Sequence, residues 1–310
     1  MNNHGKTMKS IAIALIALCI TCGTTPAAER PSVSVTHTMG TVSIQLNPER
    51  VVVLDYGTLD TLDVLNLKAH LALPKRNLPG YLAKFRGDAY TDIGGLREFN
   101  LETINAFRPE LIIISGRQQD YYRELSSIAP VLLVNTLARD YVANTKKNLD
   151  ILGKIFTVEN RIETEWKAVM ESIARVREHA AAKKMNALVL LTNDGKISAY
   201  GSGSRFGIIY DDLGVSQADP GIKVGIHGQL VNYEYIALMN PDIIFVVDRS
   251  TAVGSKADNS RILDNTLVAK TNAAKNNRIM QLPPDIWYLS GGGLRSLAKM
   301  VEDIENALDK

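Results

Sequence analysis

Two stretches, Leu101–Arg117 (LETINAFRPELIIISGR) and Tyr233–Arg249 (YEYIALMNPDIIFVVDR), align without a gap. Glu102 falls over Glu234, Ile104 over Ile236, Pro109 over Pro241, Glu110 over Asp242, Ile112 over Ile244 and Arg117 over Arg249. Each reads as one physical unit. A short helix carries the glutamate, proline cannot continue it, an apolar run of β-branched residues follows as a buried strand, and an arginine emerges just past the strand's carboxyl end. Repetition of so complete a unit implies two structurally equivalent lobes.

Outward from these units the same alternation continues. RVVVLD, PVLLVN, NALVLLT and RIMQLP are short, rich in Val, Ile and Leu, and bounded by turn residues, as buried parallel strands are. One segment breaks the pattern: from about Val158 to Ala182 there is no Gly or Pro, and Ile162, Trp166, Val169, Ile173 and Val176 recur at helical spacing. The fold class is therefore α/β, with two lobes, each a mainly parallel sheet flanked by helices, joined by one long rigid helix. The expected boundaries are 29–142 for the first lobe, 143–184 for the connecting segment and 185–310 for the second lobe. A single helical connector predicts small lobe motions on ligand binding.

The first 28 residues read as a secretory signal peptide: Lys6 and Lys9 precede an apolar run from Ile11 to Ile20, followed by small residues suited to cleavage after Ala27 or Ala28. Lipidation at Cys22 is the alternative, although Cys19 and Thr21 make a poor lipoprotein box. Both cysteines of the chain lie in this leader, so the mature body has neither disulfide nor thiol chemistry, in an oxidising compartment. Removing Lys6 and Lys9 from 35 basic residues also brings them level with the 33 acidic ones. A balanced body of this kind excludes bulk nucleic-acid binding and requires any anion site to be local.

Ligands of open α/β sheets bind at the carboxyl ends of the strands. Two facing lobes would present Arg117 and Arg249 there from opposite walls, and Arg205, after the Gly/Ser loop in AYGSGSRFGIIYDDL, sits at another strand-to-helix junction. Arginine's fixed charge and planar fork suit delocalised anionic oxygens, which leaves phosphate, carboxylate and catecholate ligands open. His227 in GIHGQLVNYE and Tyr288 in DIWYLSGGGL lie in Gly-flanked loops outside the apolar runs. Imidazole plus phenolate suits Fe(III), while a surface histidine and a packing tyrosine are the plain alternatives. Neither has companions for a self-sufficient metal site, so a bound metal would bring most of its ligands with it. There is no Walker lysine, no G-x-S-x-G elbow and no HExxH, which argues against catalysis. Gly291 to Gly293 would let the loop carrying Tyr288 swing. Glu102 and Glu234, matched on the two lobes, would offer a symmetric partner two carboxylates.

With these residues in view, the chain resembles the periplasmic binding proteins of ABC importers for iron-siderophores and vitamin B12, whose lobes are joined by one long helix. The resemblance covers NPERVVVLDYGTLDTLDVLNL, DIGGLREFNLETINAFRPELII and ILDNTLVAKTNAAKNNRIMQLPPDIWYLSGGGL. Within that class it is similar to the catecholate, ferric enterobactin-type subgroup of Campylobacter and Vibrio. The resemblance implies a monomeric, non-enzymatic periplasmic protein without an intrinsic cofactor, holding Fe(III) as a siderophore complex. It assigns Arg117, Arg205 and Arg249 to the catecholates, His227 and Tyr288 to iron, and Glu102 and Glu234 to docking on an inner-membrane ABC permease. Haem or cobalamin is the alternative cargo within the class, and an enzyme acting on an anionic phenolic or phosphorylated substrate is the alternative outside it.

Overall fold

The structure, a computed structural model, describes Met1 and residues 30–135, 139–255, 257, 259 and 261–310. Apart from Met1, the expected signal peptide, with Cys19 and Cys22, lies outside the described residues. No helix among the described residues is long and apolar enough to cross a membrane.

The body opens with an antiparallel hairpin, β1 (Ser32–His37) and β2 (Gly40–Gln45), whose period-two alternation buries Val35 and Ile44. The first lobe follows: β3 (Arg50–Val53), α1 (Tyr56–Val64), β4 (His70–Leu73), β5 (Thr91–Asp92), α2 (Leu101–Phe107), β6 (Leu111–Ser115), α3 (Tyr122–Ser126) and β7 (Val131–Val134). Its five strands are all parallel, in the order β5-β4-β3-β6-β7. Helices on both faces explain why β6 and β7 are buried at every residue.

Two helices lead out, α4 (Tyr141–Phe156) and α5 (Glu159–Lys183). α5 spans 25 residues, about 37 Å, and buries the expected stripe of Ile162, Trp166, Val169, Ile173 and Val176. The second lobe comprises β8 (Asn186–Asn193), β9 (Lys196–Tyr200), α6 (Ile208–Asp211), β10 (Ser216–Gln217), β11 (Gln229–Val231), α7 (Tyr233–Met239), β12 (Ile243–Asp248), α8 (Arg249–Ala252), α9 (Asn272–Lys275) and β13 (Ile279–Leu282). Here β8, β12, β13 and the short β10 run parallel, while β9 and β11 add an antiparallel meander at one edge. The last helix, α10 (Leu294–Leu308), packs on α5 and α1.

The repeated units fold alike. Asn100 and Asn232 cap α2 and α7, each side chain accepting from the backbone N–H three residues on, at 2.9 Å. Both helices end in a left-handed residue, Arg108 and Asn240, before the proline and the buried strand. Glu102 and Glu234 are exposed in the first turns of these helices, where the macrodipole favours acids.

Candidate functional site

Three elements deliver the arginines. Arg117 lies in the 3₁₀ turn Gly116–Tyr121, which Ser115 starts by accepting from its N–H. Arg249 begins α8 directly after β12, with Asp248 capping the helix and held by Thr192, Thr251 and Asn259. Arg205 stands between β9 and α6, beside fully buried Phe206. Asn193, the last residue of β8, accepts from Arg249 Nη1 at 2.7 Å and so fixes the plane of that guanidinium.

All three converge on Tyr288. The Nη2 groups of Arg117 and Arg205 both donate to its carbonyl oxygen, the second at 3.0 Å. Arg249 Nε donates to its hydroxyl at 2.8 Å. The guanidinium carbons of Arg205, Arg249 and Arg117 stand 4.2, 5.7 and 5.9 Å from the ring centroid, a geometry of cation–π attraction. Burial raises the phenol's pKa, but Arg205, Arg249 and Arg117 together outweigh it, and the net shift is downward. Arg117 is pushed down by burial and then by Arg205, with Asp55 opposing. Buried Asp55 caps α1 and is itself pushed up by burial. Arg205 Nε is buried with no hydrogen-bond partner among the described residues. A cavity of about 360 Å³ opens between Arg117, Arg249 and Tyr288, and its first-lobe wall adds Arg76 and Arg97.

Tyr288 occupies a π-helical turn, Asp285–Leu289, and the segment around it is held from the first lobe. Gly80 N–H donates to Asp285 Oδ2 at 3.2 Å. Gly293 precedes α10 and has no side chain to cap it, so α1 supplies the cap. Asp60 Oδ2 accepts from Ser296 N at 2.7 Å, and Thr61 Oγ1 from Leu294 N at 3.3 Å. The glycines therefore serve close packing and not the swing expected from sequence. A Cβ at Gly291 would stand 2.5 Å from Tyr141 Oη, and one at Gly293 would stand 2.4 Å from both Asp60 Oδ2 and the Gly57 carbonyl. Gly292 has φ +91°, which only glycine adopts without strain.

His227 is not brought into this cluster. It lies in the exposed turn before β11, beside Ile226, and lines neither cavity at Tyr288. Its neighbour Gly228 nevertheless abuts the buried ring of Tyr200, which packs edge-on against Phe206 at 5.0 Å. Tyr200 is pushed up by burial and feels the charges of Arg205, Tyr288 and Arg249, so this turn borders the site.

Residues 51–286 match the family model described as periplasmic binding protein. The chain belongs to the periplasmic binding protein family. It is 41% identical to the petrobactin-binding protein YclQ of Bacillus subtilis, over 98% of this chain and 100% of that one. The crystal structure of YclQ superposes with a TM-score of 0.88, covering 91% of this chain and 100% of YclQ's. The ferric-anguibactin-binding protein FatB of Vibrio anguillarum is 30% identical over 86% of this chain and 85% of its own. The catecholate-siderophore binding protein VctP of Vibrio cholerae matches with a TM-score of 0.82 at 31% identity, over 89% and 100% of the two chains. The expected two-lobed α/β fold is thus the fold of the family.

Sequence reasoning missed Arg97, Arg76 and Asn193. Arg97 carried a usable signal, since it follows the Gly94-Gly95 pair at a strand-to-helix junction just as Arg205 follows its Gly/Ser loop. Arg76, paired with Glu98, and Asn193 carried none.

Proposed function

We propose that this periplasmic binding protein captures ferric siderophores, catecholates among them, and delivers them to an inner-membrane ABC permease. The observation that supports this most is the convergence of Arg117, Arg205 and Arg249, drawn from both lobes, on the carbonyl and hydroxyl of one residue, Tyr288, beside a cavity of about 360 Å³. Three fixed cations with planar donor forks balance a trianionic ferric tris-catecholate and bond to its oxygens. The protein alters no bond of the siderophore itself; it is a carrier, not an enzyme.

Where the siderophore supplies four of iron's six donors, Tyr288 as phenolate and His227 as neutral imidazole fill the remaining two. The arginines already lower the phenol's pKa, and iron(III) lowers it further. His227 reaches the iron by inward movement of its glycine-flanked turn. Glu102 and Glu234, exposed on equivalent helices, dock two basic sockets of the permease. Residues 1–28 act as the export signal, and the mature chain works as a monomer.

Titration of the protein with a ferric tris-catecholate, a ferric bis-catecholate, a ferric hydroxamate, ferric citrate and haem, followed by tryptophan fluorescence, tests this. Stoichiometric quenching at submicromolar concentrations by the catecholates is expected. Tight binding of haem, citrate or hydroxamate with none of the catecholates would overturn the catecholate assignment.

A further inference from the structure

One arginine of the cavity wall is not used by the protein itself. Arg117, Arg205 and Arg249 gather on Tyr288, and Arg76 pairs with Glu98. Arg97 lines the same cavity of about 360 Å³ as Arg117 and Arg249, is exposed, and makes no hydrogen bond or ion pair with any described residue.

Its placement is nonetheless fixed. Arg97 stands in a tight turn closed by the bridge between Gly94 and Phe99 and by the Gly95 N–H, which donates to the Glu98 carbonyl at 3.1 Å. Gly94, at φ +99°, lets the chain enter this turn. The fully buried Gln118 donates through Nε2 to the Leu96 carbonyl at 2.6 Å, and its Oε1 accepts from the Ser115 N–H and hydroxyl, both at 3.0 Å. Gln118 follows Arg117 in the chain and Leu96 precedes Arg97, so one buried side chain ties the two arginines to a common frame. The charge of Arg97 is felt at Arg117, whose pKa it helps to lower. A pinned cation held against like charge with no protein counter-ion is compensated only when an anion arrives.

We propose that Arg97 is a separate recognition point for a carboxylate that the cargo carries outside the iron's coordination shell. This rests on the reading of the cavity as a ferric-siderophore site. The oxygens bound to iron are met by the three arginines at Tyr288, a set from which Arg97 stands apart, so the part of the cargo that meets Arg97 is the siderophore's backbone. Among the anionic groups of an organic backbone, a carboxylate matches the guanidinium fork with two coplanar oxygens. Arg97 thereby separates cargos with identical iron donors by the charge of their linkers.

Two ferric bis-catecholates test this, both built on a lysine linker, one with its free carboxylate and one with that carboxylate as the primary amide. Wild type is expected to bind the acid roughly threefold to tenfold more tightly than the amide, the scale of an ion pair at a cavity rim. In Arg97→Gln the ratio should fall to within about 1.5-fold of unity. Any loss of affinity common to both complexes cancels in that ratio. A ratio near one in wild type, or one that survives in the variant, would overturn the carboxylate site. Failure of wild type to bind either complex would instead overturn the ferric-catecholate reading itself. A second measurement needs no variant: in wild type titrated with the diamagnetic gallium complexes, the Arg97 Nε–H resonance should move with the acid and hold its position with the amide. Equal movement with both would show Arg97 answering to the metal core, and the proposal would fall.

Discussion

Tyr288 and His227, the two iron donors proposed above, are held on opposite structural terms. The turn of Tyr288 is gripped by Gly80, by Asp60 and Thr61 of α1, and by Asp303, which accepts from Trp287 Nε1 at 2.8 Å. The turn of His227 is exposed, with Ile226 at 87% exposure and glycines at 225 and 228. If both residues donate to iron as proposed, Tyr288 is placed before cargo arrives, and its ordering cost is met when the chain folds. On the same proposal His227 would be ordered by the cargo, which lowers the affinity gained from it. The difference also places Tyr288 mechanically: it follows the second-lobe strands in sequence, but Gly80, Asp60 and Thr61 tie its segment to the first lobe as well.

The strongest way to break this contrast is to attack the grip on the Tyr288 segment. Gly293→Ala puts a Cβ 2.4 Å from Asp60 Oδ2 and the Gly57 carbonyl, and backbone oxygen cannot yield as a side-chain tip can. Its φ is ordinary, so the cost is steric, and a loss of about 3 kcal/mol or more is expected in urea unfolding. Loss below about 0.5 kcal/mol would mean that the segment is loosely held after all.

Asp60 sharpens the contrast through pH. It is fully buried, and burial raises its pKa to about 6, against the opposing bonds from Ser296 and the charge of Arg295. Tyr81, whose hydroxyl is buried nearby, faces it from the 3₁₀ turn Gly80–Arg86. The native state thus binds this proton more tightly than the unfolded chain does. The group's stabilisation is complete below its ordinary pKa near 4 and is lost as pH rises through about 6. Asp60→Asn keeps an acceptor for Ser296 and removes the charge. Relative to wild type it should gain stability on the order of 2 kcal/mol between pH 4 and pH 7.5. A pH-independent difference between the two proteins would show that Asp60 is not the titrating group.

How much of this was written in the sequence depends on distance along the chain. The repeated unit showed its helix cap, proline stop, buried strand and terminal arginine, because each is enforced by neighbours a few residues away. The continuous apolar strands and the stripe of α5 were equally legible. The antiparallel edge of the second sheet was not, since β9 and β11 are short and only partly buried. At the site, the three arginines could be named but the acceptor that Arg117 and Arg205 share could not, because a backbone carbonyl has no residue type. The glycines after Tyr288 read as hinges for a related reason. Glycine permits both motion and close approach, and the Gly57 backbone that decides between them lies more than 200 residues away.

The smallest expected effect falls on His227, and it separates the two donors most cleanly. An exposed side chain in a turn contributes little to the fold, so His227→Ala should change unfolding stability by less than about 0.5 kcal/mol. If the histidine joins the iron only when cargo leaves a position open, affinity for a ferric bis-catecholate should fall about tenfold, on the order of 1.4 kcal/mol. Affinity for a ferric tris-catecholate should not move, because the iron has no vacancy and Arg249 is untouched. Part of the bis-catecholate loss should appear in the association rate, since the turn must travel before it can bind. An equal loss for both complexes would make His227 a wall of the pocket. No loss for either would leave Tyr288 as the protein's single donor, with water completing the iron.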